Sequence, residues 1–436
     1  MSQVGEIVFI EGGRVIDPAS GTDGVRTVVV RDGRIAEVAE RLERPRDARA
    51  IDARGRWVTP GFLDLHVHLR EPGQEYKETV ASGARAAVAG GFTAVCAMPN
   101  TAPVNDNASV TELILARAAA AGLARVYPVG AISKGSKGEE LAEYGELRAA
   151  GCVALSDDGK PVMSAALMRR ALEYARAFEL PLTVHEEDLG LVGKGVMHEG
   201  PASTRLGLKG VPAAAEEVMV SRDLALVELT GGRLHIAHLS TAGAVRAVRE
   251  AKRRGLAVTA EVTPHHLTLT DEDVARSRYD PSFKMNPPLR SAEDVRALRE
   301  ALADGTIDCI ATDHAPHSAV EKDLEFDAAA NGIVGLETAF PVCLALVREG
   351  LLGERRLVEA LTASPARAFG LPGGSLARGA PADLAILDPG LEWRCDPARF
   401  YSKSRNSPWK GTALVGRCSH AFVGGRLVHE LGKGER

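Results

Sequence analysis

Short apolar runs alternate with longer segments of helical periodicity through the middle of the chain. The runs have the β-branched content of buried strands, and in order they are GFLDL, FTAVCAM, RVYPVGAI, CVAL, LTV, LHIA, AVTAEV and IDCIAT. Segments such as SVTELILARAAAAGL and SAEDVRALREALADG lie between them and have the apolar spacing of helices. A strand followed by a helix, repeated about eight times over roughly 300 residues, predicts a parallel (β/α)₈ TIM-type barrel.

Both ends of the chain instead consist of short β-branched runs separated by glycine turns. RDG between two such runs, in GVRTVVVRDGRIAEVAE, predicts a hairpin. We therefore expect one small β-rich domain, built from both termini, beside the barrel. The predicted bounds are 1–56 and 369–436 for the two parts of this flanking domain and 57–368 for the catalytic barrel. A doubly wound open sheet is the rival fold, but no GxGxxG opens a helix.

Composition narrows the class of ligand. The chain is 45% hydrophobic and 25% charged, with a net charge of -5 and a pI near 6.2. It therefore has no electrostatic footprint for nucleic acid, and small solutes are the expected ligands. Six cysteines without a CxxC pair argue against a disulfide framework and a thiolate zinc site. Without a signal peptide or an apolar run of roughly 20 residues, we expect a cytoplasmic protein that does not bind membranes.

Aspartate or histidine follows most of the predicted strands, at the end where the active site of such a barrel lies. These residues are His66, His68, Asp157, Asp158, His185, His238 and Asp313. Each alone is a weak signal, because an isolated histidine is often a satisfied core residue and Asp-Asp-Gly is often a turn. The four histidines together with Asp313 and one aspartate of the Asp157–Asp158 pair would, however, carry a large desolvation penalty at one barrel mouth without a ligand. Imidazole and carboxylate without thiolate suit zinc, with manganese, cobalt or iron as alternatives.

Longer motifs around these residues resemble the class I bacterial dihydroorotases of the amidohydrolase superfamily. They are DLHVHLREPGQEYKET, AMPNTAP, LSDDGKPV, VHEED, HIAHLS, EVTPHHL, KMNPPLR, ATDHAPH and GIVGLETAF, in the family's order. HLREPG together with MPNT is far more specific than the HxH pair. The resemblance implies a metal-dependent (β/α)₈ barrel with a flanking β-domain, which agrees with the pattern of apolar runs.

The resemblance also implies a zinc site with one or two ions per chain. The first ion would be held by His66, His68 and Asp313, and the second by His185 and His238. Many members of the superfamily bridge two ions with a carbamylated lysine, whereas class I dihydroorotases use an aspartate.

The bridging position falls on Asp158, so two ions bridged by Asp158 is the favoured arrangement. Asp157 is the alternative if the register differs by one residue. Lys160 is the only lysine nearby, and we do not expect it to bridge.

The implied reaction is the reversible cyclisation of N-carbamoyl-L-aspartate to (S)-dihydroorotate and water, a step of pyrimidine biosynthesis. Asp313 would act as the catalytic acid and base. Family positions that contact substrate fall on His68, Arg70, Asn100, Asn286, His317, Asn331 and Gly332. The Arg70 fork suits a carboxylate. Without the resemblance, turn formation beside proline would be the favoured reading of both Asn100 and Asn286.

Two other functions stay open at this point. Hydantoinases and allantoinases share the fold and the HxH pair, but they typically have the carbamylated lysine and lack HLREPG with MPNT. A non-catalytic dihydroorotase-like partner of aspartate transcarbamoylase would have lost metal ligands, and this chain keeps all six. A homodimer and a complex with aspartate transcarbamoylase both stay open as assemblies.

The segment HAPHSAVEKDLEFDAAANG, residues 314–332, follows the strand that delivers Asp313. Its length of about 19 residues exceeds the usual two to six for a barrel loop. We predict a lid that is mobile without ligand, with its charges on a solvated outer face; a rigid, packed loop is the alternative. Three further histidines, His265, His266 and His314, are expected to be structural.

Overall fold

Eight parallel strands form the central sheet in a computed structural model of the chain, which describes residues 7–433. Their bounds are Phe62–Val67, Phe92–Ala97, Arg125–Gly130, Ala154–Leu155, Leu182–Val184, Leu234–Ile236, Val258–Val262 and Cys309–Ile310. Each strand pairs in parallel with the next in sequence. This order confirms the predicted (β/α)₈ barrel, and the first strand is buried along its whole length.

Hydrogen bonds between the first and eighth strands close the barrel. A parallel bridge joins Val67 to His314. The buried Asp64 carboxylate accepts hydrogen bonds from the Thr312 amide (3.1 Å), the Thr312 hydroxyl (2.6 Å) and the His66 amide (3.0 Å). Because both ends of these bonds lie one or two residues from Asp313 or His66, barrel closure also fixes the spacing of these two side chains.

Helices alternate with the strands as the periodicity predicts. The main helix after each barrel strand has these bounds: Val80–Ala89, Ala108–Ala121, Tyr144–Ala150, Ala165–Arg176, Ala214–Thr230, Ala242–Arg253, Ala292–Asp304 and Ala339–Arg348. Several begin at a side-chain cap such as Asn107, Ser164 or Ser291, whose oxygen accepts a first-turn amide.

Further helices lie in the connections between strands and after Ala339–Arg348. They are Leu189–Val192, Pro201–Leu206, Pro264–Thr268, Glu272–Arg276, Ala319–Lys322, Glu354–Leu361 and Ala363–Phe369. A two-stranded ribbon, Met197–His198 with Gly210–Val211, is a further element of these connections. No helix between residues 7 and 433 combines the length and the apolar character that a bilayer crossing requires.

The barrel interior is filled by apolar side chains below the polar mouth. Leu63, Leu65 and Cys96 from the strands pack with Phe369 of the final short helix, which closes the opposite end of the barrel. This interior is therefore a packed core below the polar mouth.

A second sheet carries the flanking domain. Its strands are Ile7–Asp17, Thr22–Arg31, Arg34–Ala39, Arg49–Asp52, Trp57–Pro60, Leu384–Arg394, Ala413–Val423 and Arg426–Glu430. The hairpin predicted at RDG joins the second and third of these strands. Gly33 there has φ of 75°, and a Cβ would lie 2.9 Å from the Gly424 carbonyl oxygen, so only glycine fits.

The strand Trp57–Pro60 belongs to the sheet of the flanking domain, where it pairs with Leu384–Arg394 and with the first strand of the chain. The sheet therefore continues to Pro60, directly before the first barrel strand. The domain bounds of 1–56, 57–368 and 369–436 stay a prediction.

Asp64→Ala should lower the free energy of unfolding by about 3 kcal/mol, because it leaves three buried donors without an acceptor. Urea denaturation of the metal-free protein measures this loss without a contribution from metal binding. Glu300→Ala, an exposed change on a barrel helix, should stay within about 0.5 kcal/mol of wild type. Equal stability of the two variants would contradict the proposed closure.

Candidate metal centre and substrate cavity

Six polar side chains from five strands converge at the barrel mouth. All six are at most 6% exposed, and they are His66, His68, Asp158, His185, His238 and Asp313. Three overlapping triads among them could each hold a metal ion, since their ligand atoms lie within 4.8 Å of one another. The structure thus brings together the six residues that the sequence singled out.

Asp158 lies at the centre of this group. Its Oδ1 atom is 3.3 Å from His66 Nε2 and 3.6 Å from His238 Nε2. The same oxygen is 3.9 Å from His185 Nδ1, while Oδ2 is 3.5 Å from His68 Nε2. One carboxylate therefore faces four imidazoles, which is the geometry that a bridging ligand requires.

Asp313 completes the group from the other side. Its Oδ1 atom lies 3.0 Å from His68 Nε2 and 3.5 Å from His66 Nε2. Burial alone would raise the pKa of Asp313, but the neighbouring imidazoles of His66 and His68 outweigh it and hold the pKa well below its usual range. Asp158 has a lowered pKa for the same reason. Both carboxylates are therefore ionised and available as ligands.

Two buried atoms in the group have no hydrogen-bond partner among residues 7–433. They are His66 Nε2 and Asp158 Oδ1, and they face each other. Leaving two such polar atoms unsatisfied costs free energy. A divalent cation between them would satisfy both atoms, so the residues present fit zinc bound by nitrogen and oxygen.

A carboxylate outside the group orients His66. Glu261 Oε1 lies 2.9 Å from His66 Nδ1, and Glu261 Oε2 lies 3.0 Å from His235 Nε2. Burial acts to raise the pKa of Glu261, but the bonds to His235 and His66 lower it to about 2. The Nδ1–H of His66 therefore donates to an ionised carboxylate, and its Nε2 lone pair faces the group.

Sequence reasoning missed Glu261, although a signal was present. The residue is a charged side chain inside the apolar run AVTAEV, where only a buried partner explains it. Glu187, also missed, lies 3.2 Å from His185 Nε2 and directs the Nδ1 atom of that ring toward Asp158.

Three residues of the site have a positive φ angle, which is rare for residues other than glycine. The values are 61° for Arg70, 32° for His238 and 44° for Asp313. Such backbone strain persists only where the surrounding structure enforces it, and it concentrates at functional sites.

Asp157 and Lys160 point away from the group. The Asp157 carboxylate accepts hydrogen bonds from the Ile132 amide (2.9 Å) and the Ser133 amide (3.1 Å), so it ties two loops together. Lys160 is exposed. The register that places Asp158 in the centre is therefore the one that the geometry favours.

A cavity of about 220 Å³ opens directly above the six residues. Five of the six line it: His68, Asp158, His185, His238 and Asp313. The rest of its wall consists of Arg70, Asn100, Gly159, Met285, Asn286, Ala315, His317 and Asn331. Most of the predicted substrate contacts therefore line one cavity.

Arg70 is a buried cation in this wall without a carboxylate partner among the described residues. Its Nε donates to the Pro316 carbonyl oxygen at 3.2 Å, and Nη2 lies 3.3 Å from His317 Nε2. Burial lowers the pKa of Arg70. A guanidinium that is desolvated and unpaired favours an anionic ligand in the cavity.

Two of the residues that were predicted to contact substrate are also hydrogen-bonded to other side chains of the protein. Asn100 Oδ1 accepts from His68 Nδ1 at 2.8 Å, and Asn286 Nδ2 donates to Glu187 Oε2 at 3.2 Å. Gly332 does not line the cavity; a Cβ there would lie 2.6 Å from the Ala315 carbonyl oxygen and 2.7 Å from the His317 ring. Its proximity to His317 is a matter of backbone packing.

The segment 314–332 is only partly a solvated face. Lys322, expected on that face, is 9% exposed, and its Nζ donates to the carbonyl oxygens of Ala330 and Gly332 at 2.8 and 3.1 Å. Glu321 pairs with Lys77 at 2.7 Å. The expectation of a solvated face was wrong for Lys322, because backbone carbonyls within the segment bind it, whereas the Glu321 side chain stays partly exposed. The predicted mobility of the lid stays a prediction, and these contacts favour the packed alternative.

Of the three histidines that were expected to be structural, His314 and His266 are hydrogen-bonded to other parts of the protein. His314 Nε2 donates to Glu78 at 3.3 Å, and its Nδ1 accepts from the Gly335 amide at 3.2 Å. His266 lies 2.8 Å from Thr263 Oγ1 and 3.0 Å from the Pro287 carbonyl oxygen. His265 is fully buried beside the group, and its Nε2 atom has no hydrogen-bond partner among residues 7–433. Burial lowers the pKa of His265 to about 3.

Two family descriptions match this chain. Residues 55–244 match the dihydro-orotase-like family, and residues 211–429 match the amidohydrolase family. The two matches overlap and together span the barrel and most of the C-terminal part of the flanking domain.

Full-length relatives give a finer comparison. A dihydroorotase of Anaeromyxobacter sp. (strain K) is 81% identical over 431 residues, which is 99% of this chain and 100% of the relative. A dihydroorotase of Geotalea daltonii is 54% identical over 423 residues, covering 97% of this chain and 99% of the relative.

Solved structures share the whole architecture. The L-hydantoinase of Arthrobacter aurescens superposes with a TM-score of 0.87 at 27% identity, over 98% of this chain and 97% of that one. The D-hydantoinase of Thermus sp. gives a TM-score of 0.81 at 26% identity, over 97% and 95% of the two chains.

Asp158→Asn should weaken zinc binding at least 10- to 100-fold, because it removes the charge that faces four imidazoles. Asp157→Asn is the matched control one residue away and should retain the wild-type zinc content. Zinc per chain after dialysis, measured by mass spectrometry, distinguishes them. A larger loss of zinc in the Asp157 variant than in the Asp158 variant would show that Asp157 is the ligand and would contradict the assignment of Asp158.

Proposed function

The chain belongs to the dihydroorotases of the amidohydrolase family, and on that premise we propose how its own residues carry out the reaction. It is a hydrolase that interconverts N-carbamoyl-L-aspartate and (S)-dihydroorotate with the loss or uptake of water. The full-length identity of 81% to a dihydroorotase carries this conclusion.

The six residues at the barrel mouth hold the metal in this proposal. His66, His68 and Asp313 would hold one zinc ion and His185 with His238 would hold a second, and Asp158 lies between the two sets of residues. Zinc in such a site supplies Lewis acidity and lowers the pKa of water. The two facing buried atoms without partners, His66 Nε2 and Asp158 Oδ1, support this arrangement.

The residue at the centre of the group supports a class I assignment. Asp158 occupies the centre, and the exposed Lys160 does not face the group. The superfamily members that bridge with a carbamylated lysine have a lysine where this chain has an aspartate. This difference supports dihydroorotase over hydantoinase or allantoinase, although the solved hydantoinases share the fold.

Asp313 carries the proton in both directions. In ring opening, a free carboxylate oxygen takes the proton from the attacking water and delivers it to the leaving ring nitrogen. In ring closure the same carboxylate takes the proton from the carbamoyl nitrogen and returns it to the departing oxygen. Its lowered pKa keeps it in the basic form before each cycle.

The substrate carboxylate lies against the wall of the cavity. Arg70 supplies the charge and a planar fork, with His317 and Asn100 as further donors or acceptors around it. Asn286 and Asn331, which line the cavity, contact the ring. The predicted contact of Gly332 is not part of this proposal, because its amide donates to the Lys284 carbonyl oxygen and its own carbonyl accepts from Lys322 and Asn406. The buried guanidinium without a carboxylate partner is the observation that supports this orientation.

The oligomeric state of the chain and its protein partner are open to a separate test. A homodimer and a complex with aspartate transcarbamoylase are both compatible with pyrimidine biosynthesis in the cytoplasm. Light scattering of the chain alone, and then mixed with aspartate transcarbamoylase, tests both assemblies.

Asp313→Asn should reduce kcat by at least about 10²–10⁴-fold, because it removes the group that carries the proton as well as a ligand charge. The assay is the cyclisation of carbamoyl-aspartate, with bound zinc measured in parallel. Asp304→Asn, an exposed change on a barrel helix, serves as the control and should keep wild-type turnover. More than a tenth of wild-type activity in the Asp313 variant would refute its role.

Arg70→Lys should raise KM for dihydroorotate about 10-fold with a smaller effect on kcat, because the charge remains while the fork is lost. Arg70→Met should raise KM further. Arg85→Lys, on an exposed helix face, is the control with unchanged KM. If both Arg70 variants bind dihydroorotate as tightly as wild type, another residue anchors the carboxylate.

A further inference from the structure

A buried asparagine from the C-terminal part of the chain joins the two ends of the 314–332 segment. Asn406 is 5% exposed and lies outside the six-residue group and the cavity wall. Its Nδ2 atom donates to the carbonyl oxygens of Ala315 and Gly332, at 2.9 Å each. Its Oδ1 atom accepts from the amide of His317 at 3.2 Å.

Only a carboxamide can make these three bonds at once. An aspartate would keep the acceptor for His317 but would turn an oxygen toward two carbonyl oxygens. An alanine would remove the Asn406 bonds to the Ala315 carbonyl and the His317 amide and would leave the Gly332 carbonyl with Lys322 Nζ as its donor. The Asn406 backbone adds a fourth tie, because its carbonyl accepts from the Val334 amide at 3.0 Å.

The asparagine is itself held firmly by the strap, which we define as residues 402–406. Ser402 Oγ and the Lys403 amide donate to the buried Glu78, and Ser404 Oγ donates to the Lys77 carbonyl oxygen. The strap thus fixes Asn406 against the barrel from the side of the loop that carries Arg70.

The groups that Asn406 joins are those next to the proposed carboxylate site. The His317 ring packs so closely on Gly332 that a Cβ there would lie 2.7 Å from its Cδ2 atom. The ring atom bonded to Cδ2, Nε2, lies 3.3 Å from Arg70 Nη2. Any separation of Ala315, His317 and Gly332 therefore moves the imidazole relative to the guanidinium.

We propose that Asn406 is a positioning residue for substrate binding, which sets the place of His317 and Gly332 beside Arg70 without touching substrate itself. This inference rests on the proposed function, because it assumes that the cavity binds the carboxylate of dihydroorotate. Displacement of a binding group by about 1 Å costs up to 10²-fold.

Steady-state kinetics of the full chain with dihydroorotate tests the proposal. Asn406→Ala and Asn406→Asp should each raise KM about 10- to 100-fold, while kcat changes less than about 3-fold and zinc per chain is unchanged. Hydrogen exchange in the peptides that cover residues 314–332 should be faster in both variants than in wild type.

Arg356→Met is the matched control. Arg356 joins the carbonyl oxygens of Leu302, Ile307 and Asp308 at the opposite end of the barrel, so its loss removes a comparable link far from the cavity. This variant should keep the wild-type KM.

The remaining outcomes distinguish failure of this inference from failure of the proposed function. An unchanged KM in the Asn406 variants, or a fall in kcat together with zinc, would overturn the inference. So would failure of both variants to fold while Arg356→Met folds, since Asn406 would then serve the fold alone. If wild type and Arg356→Met lack dihydroorotase turnover, the proposed function itself fails.

Discussion

Burial of one carboxylate among four imidazoles is the constraint on which the site depends. Asp158 faces His66, His68, His185 and His238 at distances from 3.3 to 3.9 Å, in a group that is almost entirely shielded from solvent. In this group the lone pairs of ring nitrogens face one another and also face ionised carboxylate oxygens. Holding them this close away from water requires a compensating positive charge. A divalent cation supplies that compensation, and the outer carboxylates Glu261 and Glu187 make sense only as groups that orient the rings toward it.

The barrel provides this arrangement because its parallel strands all deliver their last residues to one end. Closure through Asp64 and Thr312 fixes the spacing between the strands that carry His66 and Asp313. The interior below the mouth is packed with apolar side chains. The C-terminal strap then returns from the flanking domain to the same mouth, so distant parts of the chain determine a single cavity.

Sequence predicted the parts of this account that depend on local pattern. Strand order, barrel class and the six residues at strand ends follow from apolar runs that end in Asp or His. The family motifs favoured Asp158 over Asp157, and the structure places Asp158 in the centre of the group. Contacts over long sequence distances could not be predicted in this way: Asn406 meets His317 only in the folded chain. Lys322 looked solvated because its partners are backbone carbonyls, which leave no trace in side-chain pattern.

Diffraction at the zinc absorption edge, on crystals of the enzyme prepared with zinc, measures the central claim most directly. We expect anomalous peaks within coordination distance of Asp158, with His66, His68 and Asp313 around one and His185 with His238 around the other where a second ion is bound. Zinc bound instead to a carbamylated Lys160, or an anomalous map without a peak at the barrel mouth in an active enzyme, would contradict the account.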